Sequence, residues 1–192
     1  MPILFFDVAT SHFVTNKATG EEPRVLRMVW WKDDQPEPVF RLIKPPPETT
    51  IDPKTFPYHG LTIDMMTDGA VEPSIAVAEL ERAAHGARCL VSFNADYHWR
   101  QLHRLMGHVG APIPTTAVCA MELAKPILAL PLMRPGGGLK SPSLREAAEF
   151  FRVNPPLQEG TPEERAISTI RAVRGVFESC VREIPPSSQS SE

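Results

Sequence analysis

Apolar residues are concentrated in three short runs near the N-terminus. Residues 3–6 form the first run, which stops at Asp7, and residues 25–31 and 38–43 form two more on either side of a polar turn. Short apolar runs rich in β-branched and aromatic residues are typical of strands. Three consecutive prolines, 45–47, end the third run because proline cannot donate a hydrogen bond to a β-ladder. The pattern predicts a three-stranded meander.

Helix and strand patterns alternate in the middle of the chain. The alanine-rich segment 74–84 predicts a helix, and the apolar segment 88–93 predicts a strand. A strand that is reached through a helix usually joins its sheet in parallel. Residues 96–106 and 116–125 predict two further helices, the first ended by a glycine and the second by a proline.

Two helices near the C-terminus have clear start signals. Ser143 and Glu146 form one capping-box pattern, and Thr161 and Glu164 form another. Apolar residues at helical spacing follow each box. The element order that the pattern alone predicts is β-β-β-α-β-α-α-α-α.

The length and composition favour one soluble domain. With 192 residues and 42% hydrophobic content, the chain can form one sizeable core. We assign residues 1–182 to this domain and expect the Ser- and Pro-rich residues 183–192 to be a disordered tail. Apolar runs stay well below membrane-spanning length, so we expect no membrane association. Three unpaired cysteines among apolar residues favour a reducing compartment, and the predicted location is the cytoplasm.

Charge is distributed unevenly along the chain, although the formal net charge is −3. Residues 1–96 carry 9 basic and 14 acidic side chains, whereas residues 97–182 carry 11 basic and 7 acidic ones. A basic C-terminal half is compatible with contact to phosphate groups. Ordinary solvated helix faces would give the same distribution, so charge alone does not identify a partner.

Two segments each consist of an apolar run followed by polar residues in a characteristic pattern. The segment 4–10, Leu-Phe-Phe-Asp-Val-Ala-Thr, resembles the first motif of the DEDD superfamily of 3′-5′ exonucleases, Asp-x-Glu-Thr after an apolar strand, with Ala9 in the position of the Glu. The segment 90–98, Leu-Val-Ser-Phe-Asn-Ala-Asp-Tyr-His, resembles the second motif of that family, with His98 in the position of an Asp. Within that superfamily, the chain resembles the proofreading-type exonucleases, such as the proofreading subunit of DNA polymerase III.

Two further segments match the same family in order and spacing. His59-Gly-Leu-Thr62 resembles the His-Gly-Ile-Thr loop that follows the meander. The third motif, His-x-Ala-x-x-Asp in the last helix, aligns so that Glu164 stands for the His and Thr169 for the Asp. The resemblance covers nearly the whole chain. It implies an α/β fold, a ribonuclease H-like mixed five-stranded sheet flanked by helices.

The resemblance also implies a catalytic site that has lost most of its metal ligands. In the family, four carboxylates hold two Mg²⁺ or Mn²⁺ ions that orient the attacking water, and the third-motif His accepts a proton from that water. The corresponding catalytic positions here are Asp7, Ala9, His98, Glu164 and Thr169. Because Asp7 alone keeps the family's residue, we expect no metal cofactor, or at best weak binding at Asp7. Three lost ligands should slow hydrolysis by at least ~10³-fold.

Six further residues are candidates for contact with nucleic acid: Thr10, His59, Asn94, Trp99, Arg100 and Arg104. His59 either contacts a nucleotide or fixes its own loop, and Asn94 either positions a phosphate or caps a helix. Arg100 and Arg104, beside Trp99, give one helix a basic and aromatic character that suits single strands. A partly buried helix whose arginine stems lie along apolar surface would have the same composition.

Three functions remain open on sequence alone. The first is a degenerate, catalytically silent exonuclease fold that keeps weak binding to single-stranded nucleic acid or to a protein. The second is a working 3′-5′ exonuclease of single-stranded DNA or RNA with a divergent Mn²⁺ site at Asp7, His98 and Glu164, although Glu164 also fits the role of a capping-box residue. The third is a regulatory module that docks on another protein. The missing carboxylates favour the first.

Overall fold

One mixed β-sheet organises the part of the chain that the computed structural model describes. That part comprises residues 1–15, 20–67, 69–107, 116–131 and 138–183. The predicted disordered tail lies outside the described residues, apart from its first residue. The strands are β1 Leu4–Thr10, β2 Val25–Lys32, β3 Val39–Leu42, β4 Leu90–Ser92 and β5 Ala117–Cys119.

The strands lie in the order β3-β2-β1-β4-β5. The predicted meander is confirmed, since β2 pairs antiparallel with both β1 and β3. The predicted crossover is also confirmed, because β4 pairs in parallel with β1. β5 pairs in parallel with β4 and completes the sheet. The central strand β1 is buried along its whole length, as expected of a strand covered on both faces.

Helices cover both faces of this sheet. Leu4, Phe6 and Val8 pack against the helices that follow the meander, whereas Phe5 packs against those at the C-terminal end. None of the described helices is long and apolar enough to cross a membrane. The α-helices are α1 Phe56–His59, α2 Pro73–Ala84, α3 Ala95–Gly107, α4 Ala120–Leu128, α5 Leu144–Phe150 and α6 Pro162–Glu183, with a 3₁₀ turn at Asp64–Met66.

Three expectations drawn from the local pattern are wrong. The segment predicted as one helix, 116–125, contains strand β5 before α4 begins. A strand of three half-buried residues is too short to show a periodicity of its own, and its pairing with β4 decides its conformation. Pro126 lies inside α4 instead of ending it. β1 continues to Thr10, so Asp7 lies within the strand and not at its end.

Both predicted capping boxes are present. The Ser143 hydroxyl accepts a 3.2 Å hydrogen bond from the backbone N–H of Glu146, whose carboxylate accepts one of 2.8 Å from the Ser143 N–H. Thr161 and Glu164 make the same pair of contacts, at 3.2 and 2.8 Å. These boxes fix the starts of α5 and α6, which pack against each other and, through α6, against β1.

Candidate functional site

Asp7 lies in the middle of the central strand, and 7% of its surface is exposed. Its Oδ2 accepts a 2.6 Å hydrogen bond from Nη2 of Arg27 on β2. Its Oδ1 lies 3.5 Å from Nε2 of His98 on α3. Both oxygens of this carboxylate therefore face nitrogen atoms of the protein itself.

The strand register explains how Arg27 reaches Asp7. In the antiparallel pair of β1 and β2, Ala9 stands opposite Arg27 and Asp7 stands opposite Val29. Asp7 and Arg27 are thus diagonal neighbours on one face of the sheet, a separation that a long side chain can span. Ala9 is buried and ends in a methyl group, so the side chain at this position does not compete for the guanidinium.

His98 is positioned by the end of the neighbouring strand. Ser92, the last residue of β4, lies with its Oγ 2.6 Å from Nδ1 of His98. Burial lowers the pKa of His98, Asp7 opposes this shift, and the positive charge of Arg27 adds to it. A neutral ring with its proton on Nε2 suits the arrangement, because that proton faces Asp7 while Nδ1 accepts a hydrogen bond from the Ser92 hydroxyl.

Asn94 makes the turn between β4 and α3. Its φ angle of 62° lies in the left-handed region, which asparagine tolerates better than most residues. Its carbonyl accepts hydrogen bonds from the N–H groups of Tyr97 and His98, at 3.0 and 3.3 Å. The backbone of Asn94 thus starts the helix that carries His98, while a phosphate contact of its exposed side chain stays a prediction.

A second arginine approaches the site from α6. Arg165 is buried and donates from Nη2 to the carbonyl oxygen of Pro57 in α1. Burial lowers the pKa of Arg165, and the positive charge of Arg27 lowers it further. The charges of Arg27 and Arg165 thus act on each other, and we call these two arginines, together with His59, the basic cluster.

His59 is the third member of this basic cluster. Burial lowers the pKa of His59 to about 4, and the charges of Arg27 and Arg165 contribute to the shift. Its Nδ1 accepts a 2.9 Å hydrogen bond from the N–H of Leu61, which fixes the loop after α1. This bond supports the loop-fixing interpretation of His59. Gly60 lies so close to the cluster that a Cβ atom there would be 2.5 Å from Nη1 of Arg165.

The two third-motif positions do not reach Asp7 through any described contact. Glu164 is exposed, and its carboxylate accepts hydrogen bonds from the N–H and hydroxyl of Thr161. Thr169 donates from its hydroxyl to the carbonyl of Arg165, one turn earlier in the same helix, at 2.8 Å. The next residue of this helix, Arg165, is buried and belongs to the basic cluster. Glu164 is accounted for by its capping role.

Thr10 and Tyr97 close the site next to the end of β1. The Thr10 hydroxyl lies 2.6 Å from the Tyr97 Oη and donates to the carbonyl of His12 at 2.7 Å. Tyr97 donates to the same carbonyl at 3.2 Å. Burial raises the pKa of Tyr97. Thr10 is buried and is held in these protein contacts, so binding of nucleic acid by its side chain stays a prediction.

The candidate binding residues on α3 separate onto two sides of the helix. Trp99 packs against Phe6 on the α2-facing side of the sheet, with ring centroids 6.2 Å apart. Arg100 and Arg104 are exposed, and their charges act on Tyr97 at the edge of the site. The two arginines therefore share a surface with the site, whereas Trp99 is mainly a packing residue.

The residues present do not fit the two-metal site of the exonuclease family. Divalent Mg²⁺ and Mn²⁺ require several oxygen ligands, of which carboxylates are the strongest. At this site Arg27 and His98 occupy both oxygens of Asp7, and Ala9 has no ligand atom. Across the described residues, no group of three His, Cys, Asp or Glu side chains is placed to hold a metal ion.

Sequence reasoning missed the two arginines of the cluster. Arg27 is the charged residue within the otherwise apolar run Val-Leu-Arg-Met-Val-Trp-Trp, which is a recognisable signal. An arginine buried in a central strand needs a partner of opposite charge, and Asp7 on the preceding strand was available. Arg165 carried no comparable signal, because charged residues surround it in the sequence.

Comparison with known proteins identifies the fold. No family model matches the chain, and no curated protein matches it in sequence. Among solved structures, it is similar to exonuclease I in its apo form, with 14% identity over 96% of this chain and 42% of that chain and a TM-score of 0.69. Escherichia coli exonuclease I in complex with a dT13 oligonucleotide matches at 13% identity over 95% of this chain and 41% of that chain, with a TM-score of 0.67. Exonuclease I from Methylocaldum szegediense matches at 14% identity over 97% of this chain and 41% of that chain, with a TM-score of 0.67.

These matches confirm the fold that the sequence motifs predicted. The chain spans about two-fifths of the length of the exonuclease I chains, 42% in the apo structure and 41% in the other two. At identities of 13 to 14%, the likeness shows the arrangement of strands and helices, that is, the fold alone. This chain has the ribonuclease H-like α/β fold of exonuclease I, built on a mixed five-stranded sheet flanked by helices.

Proposed function

We propose that this protein is a degenerate exonuclease-fold module that binds single-stranded nucleic acid weakly and does not hydrolyse it. The observation that carries the proposal is the 2.6 Å ion pair between Arg27 and Asp7. A guanidinium lies against the carboxylate that would otherwise be the principal metal ligand. A protein side chain therefore supplies the positive charge that a metal ion would bring to this carboxylate.

Energetics support the loss of metal-dependent hydrolysis. A divalent ion that displaced Arg27 from Asp7 would leave a buried guanidinium without its partner. Breaking a buried ion pair in this way typically costs about 3–5 kcal/mol. Binding through one carboxylate, with no second carboxylate at Ala9, offers little to offset that cost.

The retained basic groups support weak binding of single strands. Arg100 and Arg104 are exposed beside the site, where phosphate groups can reach them. Arginines that neutralise phosphates supply most sequence-independent affinity for nucleic acid. Similar exonuclease I structures contain dT13 and dA13 oligonucleotides, which are ligands of those proteins.

A nuclease assay tests the first half of the proposal. End-labelled single-stranded DNA and RNA are incubated with the protein in Mg²⁺ and, separately, in Mn²⁺. We expect no shortening of either strand beyond a protein-free control. Shortening that disappears in an Asp7→Asn variant would overturn the proposal in favour of an active exonuclease with a divergent metal site.

Fluorescence anisotropy tests the second half. A labelled oligonucleotide should bind at about 50 mM salt and be released steeply as the salt concentration rises. The double variant Arg100→Glu and Arg104→Glu should abolish binding, whereas Arg145→Glu with Arg182→Glu, an equal change of charge elsewhere, should weaken it slightly. Absence of binding by the wild-type protein at high micromolar concentration would overturn nucleic-acid binding and favour the protein-docking module.

A further inference from the structure

The basic cluster beside Asp7 has more positive charge than its paired carboxylate can balance. Arg27 and Arg165 each carry one positive charge, and Asp7 carries one negative charge. Among the described residues, Asp7 is the one carboxylate that forms an ion pair with this cluster. Buried charges without partners are strongly unfavourable, so one positive charge here calls for a further anion.

The hydrogen-bonding capacity of the same arginines is also incompletely used. Nε and Nη1 of Arg27 and Nε of Arg165 are buried, and no acceptor in the described part of the chain receives a hydrogen bond from them. Both arginines are buried, with 5% and 8% of the residue surface exposed. Buried N–H donors are normally satisfied by protein, water or ligand. The unused donors thus coincide with the unbalanced charge.

The surroundings of the cluster hold these donors in a fixed place. Arg27 is anchored at one end by Asp7, and Arg165 is anchored by the carbonyl of Pro57. Burial and the positive charge of Arg27 lower the pKa of Arg165, and burial and the charges of both arginines lower the pKa of His59 to about 4. An anion bound by the unused donors would stabilise both positive charges.

We propose that Arg27 and Arg165 form an oxyanion site that binds a phosphate group without metal. Guanidinium groups donate in a planar fork that matches phosphate oxygens, which favours phosphate over a spherical anion such as chloride. The inference rests on the proposed function, since it assigns a phosphate-binding subsite to the same degenerate centre. The phosphate comes either from a free phosphate ion or from the end of a nucleotide.

Thermal unfolding in inorganic phosphate tests the site. We expect about 20 mM sodium phosphate to raise the Tm by at least ~3 °C above sodium chloride of equal ionic strength. Arg165→Gln should remove this increase, whereas Arg145→Gln, which loses another arginine that donates to a carbonyl, should keep it. An equal Tm in phosphate and chloride would overturn the proposal.

A second measurement on the wild-type protein covers the case in which Arg165→Gln does not fold. Phosphate should shift the Nε–H resonances of two arginines in a ¹H–¹⁵N spectrum, and chloride should not. Spectra that do not respond to phosphate would overturn the site. Comparing thymidine 5′-monophosphate with thymidine then identifies the source: an effect of the monophosphate assigns the site to a nucleotide end, and an effect of inorganic phosphate alone assigns it to the free ion.

Neither readout depends on oligonucleotide binding or on nuclease activity. Failure of the proposed function would appear in the anisotropy or cleavage assays, whereas failure of the oxyanion site appears in the phosphate titrations. A phosphate-dependent Tm in a protein that does not bind oligonucleotides would leave the site standing and reject the nucleic-acid role.

Discussion

The guanidinium of Arg27 and the carboxylate of Asp7 lie 2.6 Å apart on neighbouring strands, and both side chains are buried. Asp7 holds the first acidic position of the exonuclease-like motif, and Arg27 stands opposite Ala9, where that motif has a Glu. The position that lacks the Glu side chain thus lies opposite the arginine that pairs with Asp7.

Breaking the Arg27–Asp7 pair should strongly destabilise the fold. Arg27→Met leaves a buried carboxylate without its partner, and we expect a loss of about 3–5 kcal/mol in the free energy of unfolding. Asp7→Asn with Arg27→Met should recover much of this loss, because neither charge then remains buried. Urea denaturation of the double-mutant cycle measures the coupling. The exposed pair Lys44–Glu72 is the control and should show a much smaller coupling, so equal couplings would contradict the prediction.

Restoring the missing carboxylates should not by itself restore metal binding. In the triple variant Ala9→Glu, His98→Asp and Thr169→Asp, we expect the new carboxylate at position 9 to pair with Arg27, which stands directly opposite. Adding Arg27→Ala should then increase Mn²⁺ affinity at least ~10-fold, as measured by titration calorimetry. Equal affinities with and without Arg27 would show that the guanidinium does not compete with metal.

Gly60→Ala should destabilise the protein more than a change of backbone preference explains. Gly60 has a φ of 68°, and an added Cβ would lie 2.5 Å from Nη1 of Arg165. The left-handed conformation alone costs about 1–2 kcal/mol for a residue other than glycine. Gly86→Ala isolates that cost, because Gly86 has a φ of 74° and no atom within 4 Å of the added Cβ. Chemical denaturation should give a clearly lower free energy of unfolding for Gly60→Ala than for Gly86→Ala. Equal free energies would contradict the close approach of Arg165.

Stability should fall as the pH decreases from about 6.5 to about 4. The unfolded chain binds a proton at His59 near its ordinary pKa of 6.5, whereas the pKa in the folded protein is about 4. Between these values the unfolded state binds more protons, so acid favours unfolding, by at most about 3 kcal/mol from this residue. Burial also lowers the pKa of His98, so acid acts on the stability through this residue with the same sign.

His59→Asn isolates this contribution. The Asn oxygen can accept the hydrogen bond from the N–H of Leu61 but does not titrate. We expect the pH dependence of the unfolding free energy to be shallower in His59→Asn than in the control variant His85→Asn, which alters an exposed histidine. An unchanged slope in His59→Asn would mean that His59 is not shielded from protonation.

Elements with local signals could be predicted from the amino-acid sequence. The capping boxes at Ser143 and Thr161 depend on residues three positions apart, so they were predicted with their partners. The meander and the strand 88–93 followed from apolar runs, although β4 is shorter than predicted, and the ordered motifs around Asp7 and His98 led to the correct fold. Each signal is contained in a short stretch of chain.

The choice of side chains that form the site depends on contacts between elements far apart in the sequence. Strand β5 exists because it pairs with β4, and Arg27 meets Asp7 through a strand register across 20 residues of sequence. Arg165 and not Glu164 turns inward, since the rotation of α6 against β1 selects one of two adjacent residues. Local patterns fix the backbone of an element, but which side chains meet depends on how distant elements pack. The departures from the family's carboxylates at positions 9, 98 and 169 were visible in the motifs, whereas the pairing of Arg27 with Asp7 and the burial of Arg165 were decided by packing.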